Sequence, residues 1–228
     1  MVATASETRT ASRVEDRPST ASNWVVMHDV SWDTYQRLAR GRGESRRPRL
    51  AFDEGWLEIV SPTRRHDKSG YVLALLIEFA AMEWGDDVDG FLSTTISRDD
   101  IEAGFEADQT FYVENATRMR EVEELDLAIH PPPDLVIEVD VSNDSRRKLR
   151  LFRKFGVPEV WRVVNDEVIV YRHSDTGYRT VETSVAFPAF SPDVLTRFMR
   201  SGRTMSRVEW RETIRTWAIR ARDHRAQQ

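Results

Sequence analysis

The sequence contains no cysteine. That absence removes disulfide staples, thiolate metal sites, iron–sulfur clusters and a cysteine nucleophile together, and it agrees with a reducing cytoplasm as the expected setting. Long apolar runs are missing as well. The longest, Tyr71 to Met82, is interrupted by Glu78 and falls short of the roughly 18 residues a membrane span requires, so no membrane partner is expected. An excess of positive charge is also lacking: 33 Lys and Arg against 38 Asp and Glu leave a net charge of −5, so the chain as a whole does not advertise nucleic-acid binding. The N-terminus, MVATASETRTASRVEDRPSTASN, has no apolar h-region and carries Glu7, Glu15 and Asp16, which a transit peptide avoids. Residues 1–22 therefore read as a disordered tail without an address.

What is present suffices for a folded domain. The 228 residues are 40% hydrophobic and 10% aromatic, with seven Trp, and their number fits one domain plus tails or two small domains. The reading adopted is a tail over 1–22, a domain over 23–192, and a basic amphipathic helix with its tail over 193–228. Trp24, Val25 and Val26 are its first core-like residues. Ser31 before Trp32, Tyr35, Leu38 and Ala39 predicts a capped short helix, which runs into Arg40–Arg49, a loop with five Arg and two Gly. Leu50–Phe52 and Trp56–Val60 flank Asp53-Glu54-Gly55, which has hairpin-turn chemistry. A helix is expected over Asp67–Trp84, strands over Phe91–Ile96, Glu106–Val113 and Asp134–Val141, a helix over Asn143–Phe155, a strand over Val160–Val164 and a final strand pair. From Thr196 onward nine Arg stand against three acids, a local charge of +6, and Trp210, Ile214, Trp217, Ala218 and Ala221 form one helical stripe.

Strand alternation concentrates acids. It places Glu106, Asp108, Thr110 and Tyr112 on one face of their strand, and Asp134, Glu138 and Asp140 on one face of the next, opposite Leu135, Ile137 and Val139. Buried unpaired carboxylates are costly, so these faces either hold a cation or basic partners, or lie open to water. In the following helix Lys148 shares the apolar stripe of Leu151, Phe152 and Phe155, while Arg146, Arg150 and Arg153 form a separate row. Two acids on adjacent strands and an inward lysine on the next helix form a set that can hold a divalent cation and a water.

These residues resemble a known family. Pro133-Asp134-Leu-Val-Ile-Glu138-Val-Asp140, then Ser145, Lys148 and Gly156-Val-Pro-Glu-Val-Trp161, are similar to segments of the Uma-type putative restriction endonucleases, within the PD-(D/E)XK nuclease superfamily. Leu57-Glu58-Ile-Val-Ser61-Pro62, His66-Asp67 and Gly104-Phe-Glu106-Ala-Asp108 extend the likeness over roughly Val30 to Pro192. The resemblance implies an α/β (α+β) fold: a restriction-endonuclease-like core whose central mixed sheet is flanked by helices, with an N-terminal hairpin and a C-terminal helix. It implies Asp108, Glu138 and Lys148 as catalytic residues, and Asp108, Glu138 and the Val139 carbonyl as ligands of Mg²⁺, with Mn²⁺ as substitute. The superfamily lysine two positions after the acid is replaced by Asp140, and members of this family resemble the present chain in carrying it on the following helix, at Lys148. Ala107 and His130 also depart from the family pattern. Glu58 and His66 match frequent positions, either as metal or water contacts or as a surface acid and a helix-start histidine.

The implied reaction is phosphodiester hydrolysis with DNA as partner, and a homodimer is the oligomer the superfamily suggests. The Arg40–Arg49 loop, the α-helical Arg row and the C-terminal Arg residues each read either as phosphate contacts or as solvated faces. Two rivals stand beside this reading. A catalytically inactive DNA-binding or assembly module on the same fold is permitted by Asp140, and a paired-carboxylate glycosidase would need an aromatic sugar platform that the scattered Trp residues do not form.

Overall fold

A computed structural model of the chain describes residues 23–225 apart from 44, 46, 93–94 and 141–144. The tail reading for residues 1–22 and the proposed helix start at Asn143 lie outside the described residues.

Strand β1 (Asn23–Met27) precedes helix α1 (Trp32–Gly41), which begins where Ser31 accepts a hydrogen bond from the Thr34 amide at 3.2 Å. Strands β2 (Arg49–Asp53) and β3 (Trp56–Ser61) form the expected hairpin, and Glu54 and Gly55 both take positive φ, the geometry of a tight two-residue turn. Helix α2 (Arg64–Trp84) starts a turn earlier than its apolar periodicity implies, because Thr63 caps it, and it ends at left-handed Gly85. Then come β4 (Asp89–Leu92), β5 (Thr95–Arg98), β6 (Ala103–Glu106), β7 (Gln109–Tyr112), the single turn α3 (Ala116–Met119) and β8 (Leu135–Val139). Helix α4 (Ser145–Lys154), β9 (Glu159–Val164), β10 (Glu167–Ser174) and β11 (Gly177–Thr180) lead to α5 (Pro192–Gly202) and α6 (Arg207–Arg225).

The strands form two sheets, ordered β1-β3-β2-β6-β5 and β11-β10-β9-β8-β7-β4. The second is mixed: β8 and β9 run parallel and its other neighbours antiparallel. Two stretches expected as single strands are each divided between the sheets. The chain leaves the second sheet after β4 and pairs in the first as β5; it then returns from β6 in the first sheet to β7 in the second. These two arms make one antiparallel ribbon bent across both sheets, the way a strand turns a corner between packed sheets. The bend falls at Ala107 and Asp108, so strict alternation does not run from Glu106 through to Thr110 and Tyr112, although Glu106 and Asp108 still line one cavity.

Both faces of the second sheet are covered. Leu135, Ile137 and Val139 pack toward α2, α5 and α6, whereas Val136 joins the cluster of Leu151, Phe152 and Phe155 from α4. Residues 193–225 contribute to the first of these cores: Trp210, Ile214 and Ala218 are fully buried, and the Trp210 indole donates to the Phe198 carbonyl at 3.0 Å. Truncating a buried Trp of this kind costs about 3–5 kcal/mol. Strand β1 differs from expectation. It lies at the edge of the first sheet, and Trp24 and Val25 are exposed rather than core residues. Among the described residues no helix is long and apolar enough to cross a membrane.

Candidate active site

The bend of the ribbon, the end of β8 and the inner face of α4 meet in one place. Glu58 on β3, Asp108 at the bend, Glu138 on β8 and Lys148 on α4 are each at most 7% exposed. They share a cavity of about 10 Å³ with Arg49, His66 and Glu106. That is room for about one water-sized sphere.

Lys148 leaves the buried stripe of α4 and its Nζ donates to Glu138 Oε1, while Glu58 Oε1 lies 2.7 Å away on the other side. Burial opposes its charge, but the two carboxylates outweigh burial and hold its pKa above the ordinary lysine value. It is an ammonium at every working pH. Asp108 faces the same centre with different partners. Its Oδ2 accepts from the Val139 amide at 2.6 Å, and its Oδ1 pairs with the Arg49 guanidinium.

His66, in the first turn of α2, donates from Nε2 to the Val139 carbonyl at 2.5 Å and stands 3.5 Å from Asp108 Oδ2. Both backbone polar groups of Val139 are therefore tied into the centre. Burial, then the charge of Arg49, pushes the His66 pKa down to about 3, so its ring is neutral. With Nε2 carrying the proton, the buried Nδ1 is left without a hydrogen-bond partner among the described residues.

The structure brings Asp108, Glu138, Val139 and Lys148 together, with Glu58 and His66. It does not bring in the other acids of the β8 face. Asp134 accepts from the Val113 and Glu114 amides at 2.7 and 3.0 Å and caps the turn after β7, away from the cavity. Asp140 pairs with Arg162, a buried guanidinium on β9 that also lies over the Tyr171 ring. Glu106 lines the cavity from the β6 side, but its oxygens are taken by Arg42, by Thr95 Oγ1 at 2.7 Å and by the Leu50 amide at 3.2 Å. Tyr112 donates to the Pro131 carbonyl at 2.9 Å.

Arg49 is the residue that sequence reasoning missed, having been counted with the basic loop. Hairpin arithmetic carries the signal. A two-residue turn at Glu54-Gly55 sets Ala51 opposite Glu58, so alternation puts Arg49 on the same face as Glu58.

The donors fit a hard cation in kind. Asp108, Glu138 and the Val139 carbonyl are all oxygen ligands, the type Mg²⁺ selects. Around the cavity four carboxylates (Glu58, Glu106, Asp108, Glu138) face three cations (Arg42, Arg49, Lys148) and a neutral histidine, which leaves one negative charge over. Among the described residues no group of three or more His, Cys, Asp or Glu side chains is arranged to ligate a metal. Arg49 and Lys148 hold the acids instead.

Comparison with known proteins adds the following. Residues 32–200 match the family Uma2, described as "Putative restriction endonuclease". A crystal structure described as a putative nuclease belonging to DUF820, from Anabaena variabilis ATCC 29413, superposes with a TM-score of 0.51 at 14% identity. The match covers 75% of this chain and 99% of that one, a likeness of fold. No curated protein matches.

Proposed function

Because the chain belongs to the Uma2 family of putative restriction endonucleases, we propose that it is a metal-dependent endonuclease hydrolysing phosphodiester bonds in DNA. The observation that carries this reading is the buried ammonium of Lys148 between Glu58 and Glu138, facing Asp108 in the same cavity.

Asp108, Glu138 and the Val139 carbonyl would hold Mg²⁺, or Mn²⁺ in its place, and the ion when bound supplies positive charge beside the phosphate oxygens. The remaining work falls to the chain. Lys148 carries three N–H donors, two of them used by Glu138 and Glu58, so one is free to orient a water or meet a non-bridging phosphate oxygen. As water adds to phosphorus and the sugar oxygen leaves, charge accumulates on those oxygens, and a permanent ammonium preorganised by two carboxylates stabilises it without rearrangement. Glu58 is then a positioning residue. His66, with a pKa near 3, is a poor base; its part is to orient the Val139 carbonyl. Arg49 pairs Asp108 in the absence of substrate and is the nearest guanidinium for the phosphate.

A non-catalytic module on the same fold is favoured by one observation: both central acids are already paired to cations. Plasmid nicking and calorimetric titration with Mg²⁺ and Mn²⁺ separate the two. Glu138→Gln keeps the Lys148–Glu58 contact and should lose nicking by about 100-fold or more while melting within a few degrees of wild type. Full activity in that variant refutes the assignment, and absence of metal binding by the wild type selects the module.

A further inference from the structure

On the other side of Arg49 and Asp108 lies a second, larger pocket of about 250 Å³, lined also by Arg47, Asp67, Gly70, Tyr71, Leu92 and Gln109. Arg49 and Asp108 form the wall common to both cavities. Whatever occupies the larger one is therefore a near neighbour of a group reacting at the acid centre.

Tyr71 and Leu92, 49% and 52% exposed, set an aromatic ring and an aliphatic side chain at the mouth of the pocket. The Arg207 guanidinium, from the start of α6, lies 5.7 Å from the Tyr71 ring centroid. Gln109 is the reverse case. It is 5% exposed, and it brings a side-chain amide, with donors and an acceptor, to the wall of the pocket. Opposite it Gly70 presents no side chain: a Cβ there would stand 3.5 Å from Asp108 Cβ and 3.8 Å from Gln109 Nε2, so the absence of one keeps this floor open.

Charge narrows the choice of occupant. Arg47 and Arg49 both pair with Asp67, and Arg49 with Asp108, so two cations balance two anions around the pocket. A phosphate gains no net attraction here, and a charged amino acid side chain none either. A flat uncharged group with hydrogen-bonding edges meets every feature: a ring and an aliphatic face to stack on, and an amide with donors and an acceptor for its edge.

We propose that this pocket is a subsite for one unpaired nucleobase of the substrate strand, next to the phosphate held at the acid centre. The inference rests on the nuclease reading and deepens it. Duplex DNA can fill the subsite only by extruding a base, so strands with a mismatched or already unpaired nucleotide beside the cut are the better substrates.

The test is cleavage of oligonucleotides that carry a single abasic nucleotide at each position flanking the cut, by wild type, Tyr71→Ala and Gln109→Leu. Tyr71 is half exposed, and leucine fills the volume of Gln109, so both variants should fold, which melting curves confirm. At one position the abasic substitution should cost the wild type about tenfold in kcat/KM, the scale of one base–aromatic stack. Tyr71→Ala should lose about as much on the intact strand and nothing further on the abasic one. Wild-type indifference to every abasic position, or variants that cleave as the wild type does, overturns the subsite and leaves the nuclease reading standing. A wild type that cleaves no DNA overturns both.

Discussion

Replacing Lys148 by methionine tests the centre through stability as well as chemistry. Methionine keeps most of the apolar stem that runs along α4 but removes the ammonium that Glu58 and Glu138 share. Those acids are 1% and 4% exposed, so neither can turn to water. Removing one partner of a buried ionic group costs about 3–5 kcal/mol. At about 2–4 °C per kcal/mol for a domain of this size, the melting temperature should drop by about 6–20 °C at pH 8. Adding Glu58→Gln removes one of the two charges and should restore much of the lost stability while leaving nicking absent. Thermal melts at pH 8, followed by circular dichroism, read both the loss and its rescue. A Lys148→Met protein that melts with the wild type at pH 8 would refute the claim that this ammonium holds the two sheets' acids together.

Three other outcomes follow from the same geometry. His66, with its pKa down near 3 against 6.5 when unfolded, makes the unfolded chain bind more protons at intermediate pH, so metal-free protein should lose up to about 1.4 kcal/mol per pH unit below 6.5; His66→Gln should flatten that slope, and an unchanged slope assigns it elsewhere. Asp140→Lys, which rebuilds the common superfamily spacing, should not raise activity and should destabilise by about 3–5 kcal/mol, because it sets an ammonium against the buried Arg162 guanidinium; denaturant melts and nicking assays check it, and a more active, equally stable variant contradicts the pairing. A Cβ at Gly202 would lie 2.5 Å from Trp210 Cε2 and 2.6 Å from Val72 Cγ1, so Gly202→Ala should cost about 1–3 kcal/mol, and a neutral result would mean that α5, α6 and α2 are less tightly packed than drawn.

Periodicity and local chemistry made much of the arrangement legible. The Ser31 cap, the Glu54-Gly55 turn and the inward stripe of Lys148, Leu151 and Phe152 are decided by residues within a few positions of one another, and each stands as read. The same holds for the alternation of β8, which sends Glu138 away from Leu135, Ile137 and Val139. What was not legible is long-range. Nothing within Glu106–Tyr112 announces a bend, because the bend is imposed by β2 pairing with β6 and by β8 pairing with β7, more than 20 residues away in sequence. Asp134 and Asp140 look equivalent to Glu138 until their partners are known: two backbone amides for one, Arg162 for the other. Arg49 was hidden for a related reason, since the basic loop around it offered a simpler explanation for a guanidinium.

The bent ribbon also governs when the acid centre can exist. Glu58 belongs to one sheet, Glu138 to the other, and they lie 80 residues apart in sequence, with Asp108 at the crossing and Lys148 arriving only with α4. Each sheet could keep its own ladder of hydrogen bonds while the two separate, yet that separation alone would part Glu58 and Arg49, on the first sheet, from Glu138 on the second. The centre is therefore a property of the closed molecule, absent from a nascent chain until α4 has emerged and absent again at the first opening between the sheets. On the proposed nuclease reading, cutting capacity built this way vanishes before secondary structure does, so a damaged or half-made copy would carry strands and helices but no blade.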